Sequence, residues 1–321
     1  MLAFLDPIKD FFLQMFQAAS PQEKEINHLF LYYNILGLLI VITVTVFILI
    51  GIIKYRYRGP GDNRAPEQSF GNIRLELLWT IIPLFAVIFF LVLTIRTMNR
   101  INNPSVGGQA PFVVIVAHQW WWEFHYPGND VITAGELHIP VNQRLLMRIN
   151  SADVIHSWWV PPLGRKTDAI PGRDNYQWID ADSVGEYKGR CSTFCGAHHS
   201  AMLISVFAQT ENDFSTWVAN EKKEAATPTT LSEIKGSAIF QAKCCGTCHT
   251  IRPLSGGRVA PDLTHIGSRT TLLSGTLPNT LSNMKLWLKE TQKVKMGAHM
   301  PNFNLSNEEI DNLSDYMEAL K

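Results

Sequence analysis

All five cysteines of this 321-residue chain fall in two short segments, 191–202 and 244–249. Cys245, Cys248 and His249, in C-G-T-C-H, have the spacing at which two thiols bond to the vinyl groups of a haem and the next imidazole ligates its iron. Cys191, Cys195, His199 and Met202, in C-S-T-F-C-G-A-H-H-S-A-M, bring two thiols, an imidazole and a thioether into one loop. That soft donor set suits copper. Zinc sites usually use C-x-x-C spacing and rarely need methionine. A single blue-copper site needs one cysteine, two histidines and a weak methionine, and His156 in V-I-H-S-W-W-V supplies the second imidazole. The remaining cysteine suits two coppers bridged by two thiolates. Two one-electron centres on one chain point to electron transfer.

The iron needs a second axial ligand. A methionine there raises its potential relative to a second histidine. Met296 and Met300 are both candidates, with His265 and His299 as weaker competitors. Cys244 offers an alternative C-x-x-x-C-H attachment, but a spare thiol is the simpler reading.

Two apolar runs must anchor these motifs. Leu29 to Ile53 is 25 residues without a charge, and Leu77 to Ile95 is another 19, with Pro83 near its start. At 1.5 Å rise per residue each is long enough to cross a hydrocarbon core of roughly 30 Å. The loop between them carries Lys54, Arg56, Arg58, Arg64 and Arg74 against Asp62 and Glu67. That excess of cations predicts a cytoplasmic loop, with both termini outside. The first 25 residues, with a short apolar stretch from Phe11 to Ala19, read as an amphipathic lead-in on the outer face.

From Phe112 onward short runs such as F-V-V-I-V, R-L-L-M-R-I and M-L-I-S-V-F-A alternate with turns, the pattern of a β-sandwich or barrel. Asn220 to Thr230 has the composition of an exposed linker. Beyond it the pattern is helical over Leu231 to Ala242, Thr280 to Thr291 and Ser306 to Leu320, and Ser306 with Glu309 forms a capping box. The expected organisation is a lead-in over 1–27, a two-helix transmembrane anchor over 28–100, a β-domain over 101–219, a linker over 220–230 and a helical domain over 231–321.

Net charge is zero, so no nucleic-acid partner is indicated. The segment 101–220 holds 7 basic and 11 acidic residues, net −4, and 231–321 holds 10 and 8, net +2. Such charges would steer the two soluble parts together only weakly at physiological salt. Cysteines outside the cytoplasm are usually paired as disulfides, and their confinement to two ligand motifs argues for cofactors instead.

V-I-H-S-W-W-V-P-P-L-G-R-K-T-D-A-I-P-G-R, the cysteine loop and H-Q-W-W-W-E-F at His118 to Phe124 closely resemble subunit II of haem–copper cytochrome c oxidases, over roughly residues 25 to 215. The resemblance implies a cupredoxin-like Greek-key domain holding a dinuclear CuA centre. Cys191 and Cys195 would bridge, His156 and His199 would be terminal ligands, Met202 a weak one, and the carbonyl of Thr193 the last. The family usually has glutamate at that position, whose carboxylate reaches a magnesium ion at the subunit I interface. Threonine keeps the carbonyl and removes the carboxylate. Trp120 matches the aromatic through which electrons from cytochrome c enter, while Trp121 and Trp122 read as packing. Glu76 in L-E-L-L-W-T matches a glutamate at the mouth of a proton pathway in subunit I.

The last ninety or so residues resemble the small class I cytochromes c, whose middle segment A-P-D-L-T-H-I-G-S-R matches from Ala260 to Arg269 and whose ligand methionine matches Met300, in M-P-N-F ahead of a capped helix, rather than Met296. The whole chain therefore resembles the caa-type subunit II with a fused, covalently bound haem c. The implied role is electron transfer from a cytochrome c or a quinol-oxidising complex through haem c to CuA and on to haem a in subunit I. Oxygen is reduced there, with proton translocation. Implied partners are subunits I and III and membrane lipid, in the bacterial inner membrane with both cofactor domains on the periplasmic side. Two rivals belong to other classes. A quinol-oxidase subunit II that has lost its copper would not keep the whole donor set. A membrane-held shuttle for another terminal reductase leaves T-D-A-I-P-G-R and Glu76 without a purpose.

Overall fold

The computed structural model describes residues 17–57, 59, 70–101 and 109–321. Most of the Phe11 to Ala19 stretch lies outside the described residues, as do Arg58, Asp62, Arg64 and Glu67 of the cationic loop.

Two long helices, α1 (Pro21–Tyr55) and α2 (Ile73–Ile101), contain the two uncharged runs. α1 starts ahead of its apolar run because Ser20 Oγ accepts the Glu23 N–H at 3.1 Å and Pro21 occupies the first helical position. Asn72 opens α2 in the same way, its Oδ1 accepting the N–H groups of Arg74 and Leu75. The Arg100 guanidinium reaches both Glu25 carboxylate oxygens at 2.9–3.0 Å. Tyr33 stacks on Phe90, with ring centroids 4.3 Å apart, and its hydroxyl lies 3.1 Å from that of Thr94. Elsewhere the aliphatic side chains face outward: Ile53 is 68% exposed and Phe85 67%. A pair so apolar on its outside is suited to lipid.

The second compact unit begins with a mixed β-sandwich. One sheet has the order β3 (Val131–Ala134), β2 (Trp121–Tyr126), β1 (Val113–His118), β5 (Leu145–Ser151), β8 (Asn175–Ile179). The other has β4 (Glu136–Pro140), β10 (Leu203–Gln209), β9 (Gly185–Arg190). β1 runs parallel to β5 and β4 parallel to β10, and the remaining pairs in these two sheets are antiparallel. Alternation along β2 buries Trp122, Phe124 and Tyr126 and leaves Trp121, Glu123 and His125 less covered, as a half-buried strand requires. The buried set joins Ile115, Met147, Ile149, Leu137, Ile139, Ile204 and Val206 in one core. A short pair, β6 (His156–Trp158) with β7 (Thr167–Ala169), lies beside it.

Helix α3 (Glu211–Glu221) follows, so the chain stays helical into the stretch expected as a linker. The helical domain is built on α4 (Leu231–Ala242) and α7 (Asn307–Ala319), each opened by a complete capping box, Thr230 with Glu233 and Ser306 with Glu309. They cross at Gly236, where a Cβ would lie 2.1 Å from the Asn312 carbonyl oxygen, so only glycine allows that approach. The expected helix from Thr280 to Thr291 is two pieces, α5 (Leu281–Lys289) and α6 (Thr291–Val294). Glu290 between them leaves helical geometry (φ −131, ψ 44), while buried Thr291 bonds back to the Trp287 carbonyl at 3.0 Å. Between α4 and α5 lie two short hairpins, β11 (Thr250–Ile251) with β12 (Ser255–Gly256) and β13 (Thr271–Leu272) with β14 (Leu277–Pro278).

Candidate functional site

β9 and β10 form the stem of the cysteine loop. Arg190 pairs with Leu203 as the last register position, and the Cys191 N–H bonds the Met202 carbonyl at 2.9 Å, closing the loop at its base. Ser192 N–H then bonds the Ser157 carbonyl at 3.1 Å, which draws the loop onto β6, where His156 stands. Residues 35 positions apart thus meet.

The donor atoms converge. Cys191 Sγ lies 3.8 Å from Cys195 Sγ, 3.9 Å from His156 Nδ1 and 3.2 Å from the Thr193 carbonyl oxygen. Cys195 Sγ lies 3.6 Å from His199 Nδ1 and 4.0 Å from Met202 Sδ. Each imidazole therefore serves one thiol, and the thioether serves the second. His156, Cys191, Cys195 and Met202 are all buried. Two sulfurs side by side, each with its own imidazole and neutral extra donors, fit a pair of soft ions bridged by thiolates. His198 points elsewhere, its ring 5.5 Å from that of Trp120.

Electrostatics favour a thiolate here. The bond shared with Cys195, followed by His156 and nearby backbone, brings Cys191 down to about 3 against the cost of burial. Cys195 is pushed up by that same bond and by burial, so the pair keeps one proton. A metal replaces that proton when it binds.

Asp153 was not legible in the motifs. Its Oδ1 lies 2.8 Å from His156 Nε2 and it also accepts the Val154 and Gln119 N–H groups at 2.6 Å. Burial disfavours its charge, but His156 and these two N–H groups outweigh that and lower its pKa. Burial likewise favours a neutral His156 ring, and the bonds to Asp153 and Cys191 override it. A carboxylate on the far nitrogen fixes the ring so that Nδ1 faces the sulfurs.

Trp120 is buried against the same loop. Its Nε1–H donates to the Cys195 carbonyl at 3.0 Å, and Gln119 Nε2 donates to the same oxygen at 2.8 Å. Gly196, at φ +117, makes room: a Cβ there would stand 2.9 Å from Trp120 Cζ2. Trp122 is wholly buried, edge-on to Trp158 at 5.3 Å, and Trp121 stacks on His118 at 4.1 Å, which agrees with packing roles for both.

In the helical domain Cys245 opens a tight turn after α4, and Cys248 and His249 follow. His249 Nδ1–H donates to the Pro261 carbonyl at 2.7 Å, which leaves Nε2 as the free lone pair for a metal. Burial lowers its pKa and so keeps the ring neutral. Met300 packs on the core formed by Phe240, Ile251, Leu313 and Met317, whereas Met296 is 67% exposed. His265 is buried with Nε2 3.2 Å from the Lys223 carbonyl, and His299 is exposed. The residues fit a thioether-linked haem with one imidazole ligand. Cys244 is exposed, in left-handed geometry at φ 57. Glu76 lies in the first turn of α2.

Comparison with known proteins matches three stretches of the chain to family models. Residues 9–96 match the family described as cytochrome c oxidase subunit II, transmembrane domain, residues 131–209 its periplasmic domain, and residues 234–321 cytochrome c. Cytochrome c oxidase subunit 2 of Alkalihalophilus pseudofirmus is 32% identical over 309 residues, covering 94% of this chain and 89% of that one. A quinol oxidase subunit 2 of Bacillus subtilis is 37% identical over 196 residues, 59% of this chain and 61% of that one. Among solved structures, the periplasmic domain of subunit II of cytochrome oxidase from Bradyrhizobium japonicum is 32% identical with a TM-score of 0.34, covering 34% of this chain and 91% of that one. With relatives alike over nearly its whole length and a third domain matched beyond the oxidase part, the chain belongs to the cytochrome c oxidase subunit II family, in the form that carries a C-terminal cytochrome c domain.

Proposed function

We propose that this membrane-anchored oxidase component relays electrons from a donor through haem c and a dinuclear CuA centre to haem a of subunit I. The observation that supports it best is the meeting of two thiols, two imidazoles, a thioether and a carbonyl within about 4 Å spacings where the cysteine loop meets β6. When bound, the two copper ions and the haem iron supply the one-electron chemistry. The chain's own residues hold their ligands still. Cys191 and Cys195 would bridge, His156 and His199 would cap the two ends, and Met202 and the Thr193 carbonyl would complete the set. Cys245 and Cys248 would anchor the haem, with His249 and Met300 on its two faces. The loop base at Cys191–Met202 and the carboxylate of Asp153 limit how far these ligands move when charge changes.

Trp120 is read as the bridge into the copper loop, since its indole N–H is bonded to the backbone of one bridging cysteine. Glu76 is read as the mouth of the proton path in subunit I. The donor is a cytochrome c or a quinol-oxidising complex, subunit III and lipid are further partners, and the cofactor domains lie on the periplasmic side. The domains are read as an anchor over 28–100, a copper domain over 101–219 and a haem domain over 231–321. The intact donor set favours this over a copper-free quinol oxidase subunit. Laser-triggered reduction of haem c in the purified oxidase tests the relay. Copper should then be reduced in a concentration-independent step, and a haem that stays reduced while copper stays oxidised would overturn it.

A further inference from the structure

The sandwich and the haem domain form one compact unit, and their contact is built rather than incidental. It has two points. At the first, one carboxylate oxygen of Glu136, on β4, accepts the backbone N–H groups of Thr270 and Thr271 at 2.9 and 3.0 Å and their hydroxyls at 2.5 and 3.1 Å. Every one of these donors comes from the haem domain. The turn of the same β13–β14 hairpin lies on the start of β10. Leu203 N–H bonds the Ser274 carbonyl and Ser274 Oγ bonds the Leu203 carbonyl, both at 3.0 Å, beside the copper-loop methionine Met202.

At the second point, Lys295 reaches from the Met300 side of the haem domain into the sandwich. Its Nζ donates to the Trp120 carbonyl at 2.7 Å. Gly297, two residues on, lies against the indole, where an added Cβ would stand 3.4 Å from Trp120 Cη2. Glu136 is 4% exposed, Lys295 8% and Trp120 5%. A buried carboxylate and a buried ammonium are costly unless satisfied. Here the partners that satisfy both are across the interface, so the two side chains make sense only when the domains are docked.

We propose that Glu136 and Lys295 are positioning residues that clamp the haem domain over Trp120, reserving that indole for the chain's own haem and closing it to a separate cytochrome. A soluble donor would then have to deliver its electron to the haem domain. The clamp stands on the contacts alone, while the reservation of Trp120 rests on the relay reading above.

The test uses the complete oxidase with Glu136→Ala, Lys295→Ala and Glu136→Gln, and with a Thr270→Val, Thr271→Val double variant as a second way to break the first point. Copper EPR and haem absorption establish that both sites are formed. Hydrogen–deuterium exchange is followed over residues 117–121, 270–278 and 295–300, and reduction of haem and copper is followed after mixing with a reduced soluble cytochrome c. In the unaltered protein, copper should be reduced only after the haem. Glu136→Ala, Lys295→Ala and the double variant should raise exchange at those segments at least tenfold and slow haem-to-copper transfer at least tenfold. They should also let the soluble cytochrome reduce copper directly. Glu136→Gln, which keeps an acceptor oxygen, should stay near the unaltered protein. Unchanged exchange in Glu136→Ala with intact spectra overturns the clamp. Raised exchange with unchanged transfer and unchanged order of reduction overturns the reservation of Trp120. Absence of haem-to-copper transfer in the unaltered protein counts against the relay, and the exchange data still decide the clamp.

Discussion

The indole N–H of Trp120 donates to the carbonyl oxygen of Cys195 at 3.0 Å, although 75 residues separate them. A single hydrogen bond thus connects the aromatic outside the copper loop to the backbone of a residue whose sulfur faces the other thiol. That bond depends on Gly196, which gives the ring its place.

Gly196→Ala should therefore disturb both stability and transfer. Alanine at φ +117 is strained by about 1–3 kcal/mol, and its Cβ would press on Trp120 Cζ2. The expected result is a lower thermal midpoint for the copper domain and slower haem-to-copper transfer, with the copper ligands intact by EPR. Calorimetry and flash kinetics on the same preparation check it.

Asp153→Ala should weaken copper binding. The carboxylate holds His156 through its far nitrogen, and loss of such a partner typically costs roughly 10–100-fold in metal affinity. Competition with a copper chelator should show that loss, with smaller loss for Asp153→Asn because an amide oxygen can still accept from the ring. Equal copper retention in all three proteins would count against the role assigned to Asp153.

The haem ligand assignment separates two methionines. Met300→His should lower the haem potential by a noticeable share of the roughly 0.8 V that axial ligands command. Met296→Ala, altering an exposed side chain, should leave it unchanged. Redox titration followed by haem absorbance reads both. A drop confined to the Met296 variant would reverse the assignment.

Glu76→Ala tests the proposed proton path. Oxygen reduction and proton uptake by the intact oxidase should both slow severalfold, while reduction of haem c and copper by the donor stays normal. Full proton uptake in that variant would remove Glu76 from the path.

Ligand types clustered along the chain were readable before any fold was known. Cys191, Cys195, His199 and Met202 are neighbours in sequence, and the C-G-T-C-H run carries its chemistry in its spacing. The capping box at Ser306 and Glu309 and the start and end of α4 were equally plain, because local hydrogen bonds and periodicity decide them. Long-range relationships were not. Asp153 looks like an ordinary loop residue until β6 brings His156 beside the cysteines. Glu136 and Lys295 meet partners 134 and 175 positions away, and no local pattern marks such pairs. The parallel pairing of β1 with β5 was hidden for the same reason. Glu290 interrupts a helix whose periodicity runs through it, beside a Thr291 that is buried and bonded back to the Trp287 carbonyl.

The central claim is a paired copper site fed by a haem on the same polypeptide. Optical and EPR spectra of the full chain, purified with matured cofactors, test it most directly when combined with metal analysis. The account predicts two coppers and one covalently bound haem per chain, with an EPR signal of one electron shared between two copper nuclei. Zinc in place of copper, or one copper with an ordinary blue-copper spectrum, would contradict it.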